Sequence, residues 1–239
     1  MKYFLLLSVL FCLSCGPSEL PDQKALASMK LQPAPPRPPQ VRGFHNPKLR
    51  SRRLRRDSSG TDLFPTLPLQ QYDSIFRHHF TYCSDGFDYP VGKPDAQHYF
   101  LAQQFGENSH LGEDWNGTGG GNTDLGDPVY VVGNGLVTFA KEVCCGWGNV
   151  IRVVHRLPNH PEYDYVESVY AHLNNIQIQT GDLLRRGDQI GTIGTANGRY
   201  WAHLHLELRS FINMSLGPGY SEDRYGYLAP SDFIAKHRP

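Results

Sequence analysis

From about residue 128 onward, apolar residues fall into short runs bounded by glycine, with the length and composition of β-strands. The runs are Pro128–Val132, Leu136–Ala140, Asn149–Val154, Tyr165–Leu173 and Ala202–Leu208. Between them lie the turn formers Gly133-Asn134-Gly135, Gly146-Trp147-Gly148, Gly181-Asp182 and Gly187-Asp188. In Ala202–Leu208 the alternation is strict. Ala202, Leu204, Leu206 and Leu208 share one apolar face, and His203, His205 and Glu207 project from the other. The pattern predicts a mainly β protein.

Residues 71–104 carry the aromatics Tyr72, Phe76, Phe80, Tyr82, Phe87, Tyr89, Tyr99 and Phe100, and they are expected to pack as an extra layer on that core. The folded domain is therefore read as 71–239, with its core at about 105–210. Residues 16–70 are a linker. It opens with a proline-rich stretch to about residue 43, including the polyproline run 33–39, which builds no core. It then carries Lys48, Arg50, Arg52, Arg53, Arg55 and Arg56, a solvated run or a contact for anionic headgroups or wall polymers.

The first 15 residues read as an export signal. Lys2 supplies the positive end, Phe4 to Leu13 is apolar but too short to span a bilayer, and Ser14 precedes Cys15. Cleavage before Cys15 would leave a cysteine for diacylglycerol, anchoring the chain at about 0.8 kcal/mol per buried methylene. Cys12 and Leu13 depart from the usual residues of a lipoprotein signal at those positions, so ordinary signal cleavage stands as the alternative. The expected location is the cell envelope, membrane-anchored at the periplasm or outer membrane, or otherwise secreted.

Charge adds little. Lys+Arg 23 balances Asp+Glu 23, which argues against nucleic acid as a partner. Of five cysteines, Cys83, Cys144 and Cys145 remain for the folded domain. A bridge from Cys83 to one of the adjacent pair is the expectation, since neighbouring cysteines close on each other only with strain. No cysteine spacing suits zinc, so any metal must rest on His and carboxylate.

His203 and His205 on one strand face are common by chance and gain weight from company. His110 and Asp114 stand four apart in a stretch bracketed by Gly112 and Gly117, and His172 lies in another predicted strand. Two imidazoles and one carboxylate are suited to zinc and leave a fourth position open, as in a catalytic site. His78, His79, His98, His155, His160 and His237 are expected at the surface or the edge of the core. The tract 116–124 is a mobile rim of the cleft or a plain surface loop. Calcium through Asn122, Asp124 and Asp127 is a minor reading, because the EF-hand spacing is absent.

In order along the chain stand His-x-Gly-x-Asp, Gly-Asp-Pro-Val-Tyr, Gly-Asn-Gly-Leu-Val, Trp-Gly-Asn-Val, Tyr-Ala-His-Leu, Arg-Gly-Asp-Gln-Ile-Gly and His-Leu-His-Leu-Glu. Over about 105–209 this resembles the lysostaphin-type, or LytM-domain, zinc endopeptidases that cut peptidoglycan peptides. The resemblance implies an antiparallel β-sheet sandwich or barrel-like domain with long loops and a cleft along the sheet. It implies one Zn²⁺ held by His110, Asp114 and His205, with His172 and His203 lining the site as the catalytic pair, and peptidoglycan peptides as substrate. Some members of that family lack ligands and activate other wall hydrolases, so a binding module is the rival reading. A non-haem iron oxygenase also uses two His and a carboxylate, but the three-residue gap between His110 and Asp114, the His203/His205 doublet and the export signal count against it.

Overall fold

The computed structural model describes residues 67–239; the expected export signal, lipidation at Cys15 and nearly all of the linker lie outside the described residues. The described chain opens with helix α1 (Leu69–His78) and continues through eleven strands: β1 (Tyr99–Gln103), β2 (Glu113–Gly117), β3 (Pro128–Tyr130), β4 (Gly135–Val143), β5 (Gly148–Arg156), β6 (Tyr165–Leu173), β7 (Asn175–Ile176), β8 (Leu183–Leu184), β9 (Gln189–Thr192), β10 (Leu204–Arg209) and β11 (Tyr227–Leu228). Helix α2 (Pro230–Lys236) closes it. No helix among the described residues is long and apolar enough to cross a membrane.

The strands form two antiparallel sheets. The larger has eight strands in the order β1-β2-β10-β6-β5-β4-β8, with β11 added on β10, and the smaller has the order β3-β9-β7. The five predicted runs correspond to β3, β4, β5, β6 and β10. The mainly β, antiparallel fold class is therefore what the structure shows.

Alternation decides which face each residue serves. Ile151 and Val153 of β5, Val166 and Tyr170 of β6, and Leu204, Leu206 and Leu208 of β10 meet Val129 and Ile190 of the small sheet and Ile193 just after it in one core, which Phe233 and Ile234 of α2 also enter. Polar β10 residues take the opposite face. At its other end that face is covered by Tyr72 and Phe76 of α1, packed on Leu136, Val154 and Tyr165. The aromatic layer is thus partial: Tyr72, Phe76 and Phe87 are buried, whereas Phe80 and Phe100 stay exposed. Glu113 of β2 ties the C-terminal helix to the sheet by accepting from Ser231 N (3.1 Å) and Ser231 Oγ (2.6 Å) at the start of α2.

Two expectations are corrected. Cys83 does not reach the adjacent pair: Cys144 and Cys145 are joined to each other and Cys83 is free. The Cys83 carbonyl accepts from Asn134 Nδ2 (3.0 Å) at the beginning of β4, while Cys144 follows its last residue. Eight residues of strand separate the two ends by about 26 Å, several times the reach of a disulfide.

The second correction concerns His155, which is a fully buried core residue rather than an edge one. Its Nδ1 donates to Asn134 O (2.8 Å) and its Nε2 faces Ser168 Oγ (2.7 Å). Burial lowers its pKa to about 4 against the raising effect of its backbone hydrogen bonds. Unfolded, it titrates near the usual value of about 6.5. Between those values the unfolded chain binds a proton that the folded chain refuses, so this side chain makes stability fall as pH falls through about 6.5 toward 4. The full contribution is about 3 kcal/mol. Denaturant unfolding at pH 7 and pH 4.5 is expected to show a loss at least about 2 kcal/mol smaller in His155→Gln than in wild type. Equal losses in the two proteins would contradict this account.

Candidate metal centre

β10 lies between β2 and β6, and this order brings distant parts of the sequence together. His205 is the direct cross-strand partner of Asp114 on one side and of Ala171 on the other. His110 lies three residues before the start of β2, at a bridge to Tyr220. Gly112 stands between the two early residues because nothing larger fits. A Cβ there would come 2.6 Å from the Leu206 carbonyl oxygen and 2.8 Å from Cε1 of His205.

His172 reaches the same face through a break in alternation. Its neighbour Tyr170 faces the core, and strict alternation would send His172 there too. Instead His172 adopts a left-handed backbone (φ 63°), near a register shift between β5 and β6. The imidazole turns to the His205 side, with ring centroids 5.5 Å apart, and Leu173 turns into the core. Strained, bulged positions of this kind gather at functional sites. Gly194 makes room for this stretch, since a Cβ there would lie 2.4 Å from His172 O.

The donor atoms converge. His205 Nδ1 lies 2.9 Å from Asp114 Oδ1 and 3.0 Å from His110 Nε2, and His110 Nε2 lies 3.4 Å from Asp114 Oδ1. Tetrahedral zinc ligands at about 2.0–2.2 Å from the ion stand about 3.3–3.6 Å apart, so this triangle has nearly the size of one face of a zinc tetrahedron. Among the described residues, His110, Asp114 and His205 form one group suited to holding a metal ion.

Electrostatics favours a cation at that point. Burial lowers the His110 pKa to about 4, despite the pull of Asp114, and so keeps its nitrogen lone pair free at neutral pH. Burial works against the Asp114 carboxylate, but the hydrogen bond from His205 and the charges of His203, His205 and His110 hold it well below the usual carboxylate range. For His205 burial is again unfavourable to charge, yet Asp114 on one side and Glu207 on the other more than reverse it, raising the pKa to about 9. Two nitrogens, one ionised oxygen and a surrounding that stabilises positive charge fit zinc.

His172 and His203 flank the triangle. Their rings are 4.8 Å apart, and His203 Nε2 lies 3.8 Å from Asp114 Oδ1. His172 Nδ1 donates to Trp147 O (3.2 Å) and His203 Nδ1 donates to Trp201 O (2.8 Å), so each keeps its Nε2 as the free nitrogen. Burial, then the neighbouring His203 and His205, push the pKa of His172 well below its ordinary value.

All five polar residues singled out in the sequence are thus brought into one cluster, and others join them. Trp147, from the turn before β5, packs its ring edge on His205 (5.5 Å) as well as binding His172. Tyr200 lies over His172 (4.9 Å) and Tyr220 over His110 (4.9 Å). No spacing in the sequence marked Tyr220. Arg209 was visible as the next residue on the polar face of β10 after Glu207, a signal that goes unused when only metal donors are sought. Asn122, Asp124 and Asp127 do not gather as ligands: their oxygens accept from Ala202 N, Gly117 N and Tyr99 Oη respectively. The glycine-rich loop they pin lies against Trp201, whose ring is 2.9 Å from where a Cβ on Gly121 would stand.

The family described as Peptidase family M23 matches residues 109–216. Lipoprotein NlpD of Yersinia enterocolitica is 30% identical over 84 residues, which is 35% of this chain and 78% of that protein. The uncharacterized lipoprotein YgeR of Escherichia coli is 29% identical over 84 residues, 35% of this chain, and the match spans only 30% of YgeR's own length. Among solved structures, the antimicrobial peptidase lysostaphin from Staphylococcus simulans is similar over 65% of this chain and 52% of that one, at 20% identity and a TM-score of 0.39. The chain belongs to peptidase family M23, the lysostaphin-type family of LytM-domain proteins.

Proposed function

We propose that this protein is a zinc-dependent endopeptidase of the cell envelope that hydrolyses peptide bonds in peptidoglycan cross-links. The observation that carries the proposal is the convergence of His110 Nε2, Asp114 Oδ1 and His205 Nδ1 beside two further imidazoles whose free nitrogens are fixed. His110, Asp114 and His205 hold the metal. When bound, zinc polarises a scissile carbonyl and brings the pKa of its water down toward about 7.

The remaining chemistry belongs to the chain. The Trp147 carbonyl keeps the His172 proton on Nδ1, and burial keeps the ring neutral, so Nε2 presents a lone pair able to take a proton. The Trp201 carbonyl does the same for His203, beside Asp114. Between them the two imidazoles accept the proton of the attacking water and hydrogen-bond the oxyanion of the tetrahedral intermediate. Tyr200, Tyr220 and the Trp201 edge shape the approach to the site, each partly exposed beside it.

Relatives named lipoproteins support an exported, membrane-anchored protein with Cys15 as the lipidated residue, and peptidoglycan peptides as the substrate in reach of it. The rival reading, an activator of other wall hydrolases, is separated by digestion. Mass spectrometry of purified peptidoglycan treated with zinc-loaded protein is expected to show new peptide fragments. If no fragments appear while the same protein stimulates a separate wall hydrolase, the activator reading replaces this one.

A further inference from the structure

The β10 face that carries His205 continues into a line of buried charge. Glu207 Oε1 lies 3.3 Å from His205 Nε2, and Glu207 Oε2 accepts from Arg209 Nε at 2.9 Å. Arg209 Nη1 lies 3.9 Å from Glu167 Oε2 on β6, and Glu167 in turn accepts two bonds from Arg152 of β5, at 3.1 and 2.7 Å. The carbonyls of Ser215 and Leu216 accept from Arg209, and that of Met214 accepts from Arg152. Glu207, Arg209 and Glu167 are wholly shielded from water and Arg152 is 2% exposed.

Two acids and two bases thus alternate from the far nitrogen of His205 across three strands. Removing four charges from water costs several kcal/mol each, and well-packed apolar side chains often replace buried ion pairs with no loss of stability. Core packing therefore does not account for the line. Its starting point does. A neutral imidazole has one N–H, and a His205 that ligates through Nδ1 must carry its proton on Nε2. His205 is only 3% exposed, so an acceptor for that proton has to be built in.

We propose that Glu207 is a positioning residue for the metal centre: its carboxylate takes the Nε2–H of His205, leaving Nδ1 free to bind zinc, and Arg209, bonded to it directly, holds that carboxylate in place. This inference rests on the zinc reading of the site. Glu207 is fully buried and touches no substrate; its effect passes through His205. Carboxylates behind metal-bound imidazoles typically contribute 10–100-fold in metal affinity.

The test compares zinc affinity, by chelator competition, in wild type, Glu207→Gln, Glu207→Leu and Glu167→Gln. The last variant places the same amide in the same buried line, away from His205. Glu207→Gln is expected to weaken zinc roughly 10-fold and Glu207→Leu roughly 100-fold, with Glu167→Gln within about threefold of wild type. Nitrogen NMR of the zinc-loaded wild type supplies a readout that needs no variant, and it is expected to show the His205 proton on Nε2. Equal losses in Glu207→Gln and Glu167→Gln, unchanged affinity in Glu207→Leu, or a His205 proton on Nδ1 would each overturn the inference. A wild type that takes up no zinc would instead sink the zinc reading itself.

Discussion

Replacing His205 with alanine is expected to abolish zinc uptake and to lower peptide hydrolysis by roughly 1000-fold or more, about 4 kcal/mol of transition-state stabilisation. The size follows from the position of the side chain. His205 supplies one donor atom of the triangle, separates the carboxylates of Asp114 and Glu207, and gives Trp147 its packing surface. Without it, the buried Glu207 carboxylate and the partly buried Asp114 carboxylate lose their shared partner, and the metal-free variant should also unfold at lower temperature than the metal-free wild type. Metal analysis, release of muropeptides and a thermal melt check the three parts separately. Full zinc occupancy in His205→Ala would show that the ion is held elsewhere.

The second large effect is of a different kind. His172→Ala and His203→Ala are each expected to keep one zinc per chain while losing 10²–10⁴-fold in kcat/KM, the usual range for a lost acid–base group. Neither imidazole belongs to the triangle of close donor atoms; each is oriented by a backbone carbonyl instead. Zinc stoichiometry alongside steady-state kinetics on a cross-linked peptide separates the two effects. Loss of zinc together with activity would place His172 or His203 among the ligands and redraw the site.

Much of this arrangement is legible in the residues. Alternation in Ala202–Leu208 assigns His205 and Glu207 to one face, and the structure pairs that face with Asp114 through adjacent antiparallel strands. The five glycine-bounded runs mark the strands of the core because one-sided burial imposes a period of two. What stayed hidden depends on departures from that period or on tertiary partners. His172 joins the site only because its backbone turns left-handed, which no pattern in Tyr-Ala-His-Leu announces. β1 and β2 are paired strands with weak apolar signals, and the place of β2 between β1 and β10 is set by partners distant in the sequence.

Helix α1 was hidden for a related reason. Its two buried aromatics, Tyr72 and Phe76, mark a helical spacing, but they sit among so many others that composition points to an aromatic layer without revealing its form. The burial of Arg209 likewise depends on tertiary partners, the carbonyls of Ser215 and Leu216 that accept from it. The bridge between Cys144 and Cys145 went against a sound expectation, because the alternative partner lies a strand length away.

The most direct test of the central claim is X-ray absorption at the zinc edge of the metal-loaded protein. The structure predicts one zinc per chain, four-coordinate, with nitrogen and oxygen neighbours at about 2.0–2.2 Å and one position supplied by solvent. A sulfur shell near about 2.3 Å, or a protein that binds no zinc at all, would contradict the convergence of His110, Asp114 and His205 on a single ion.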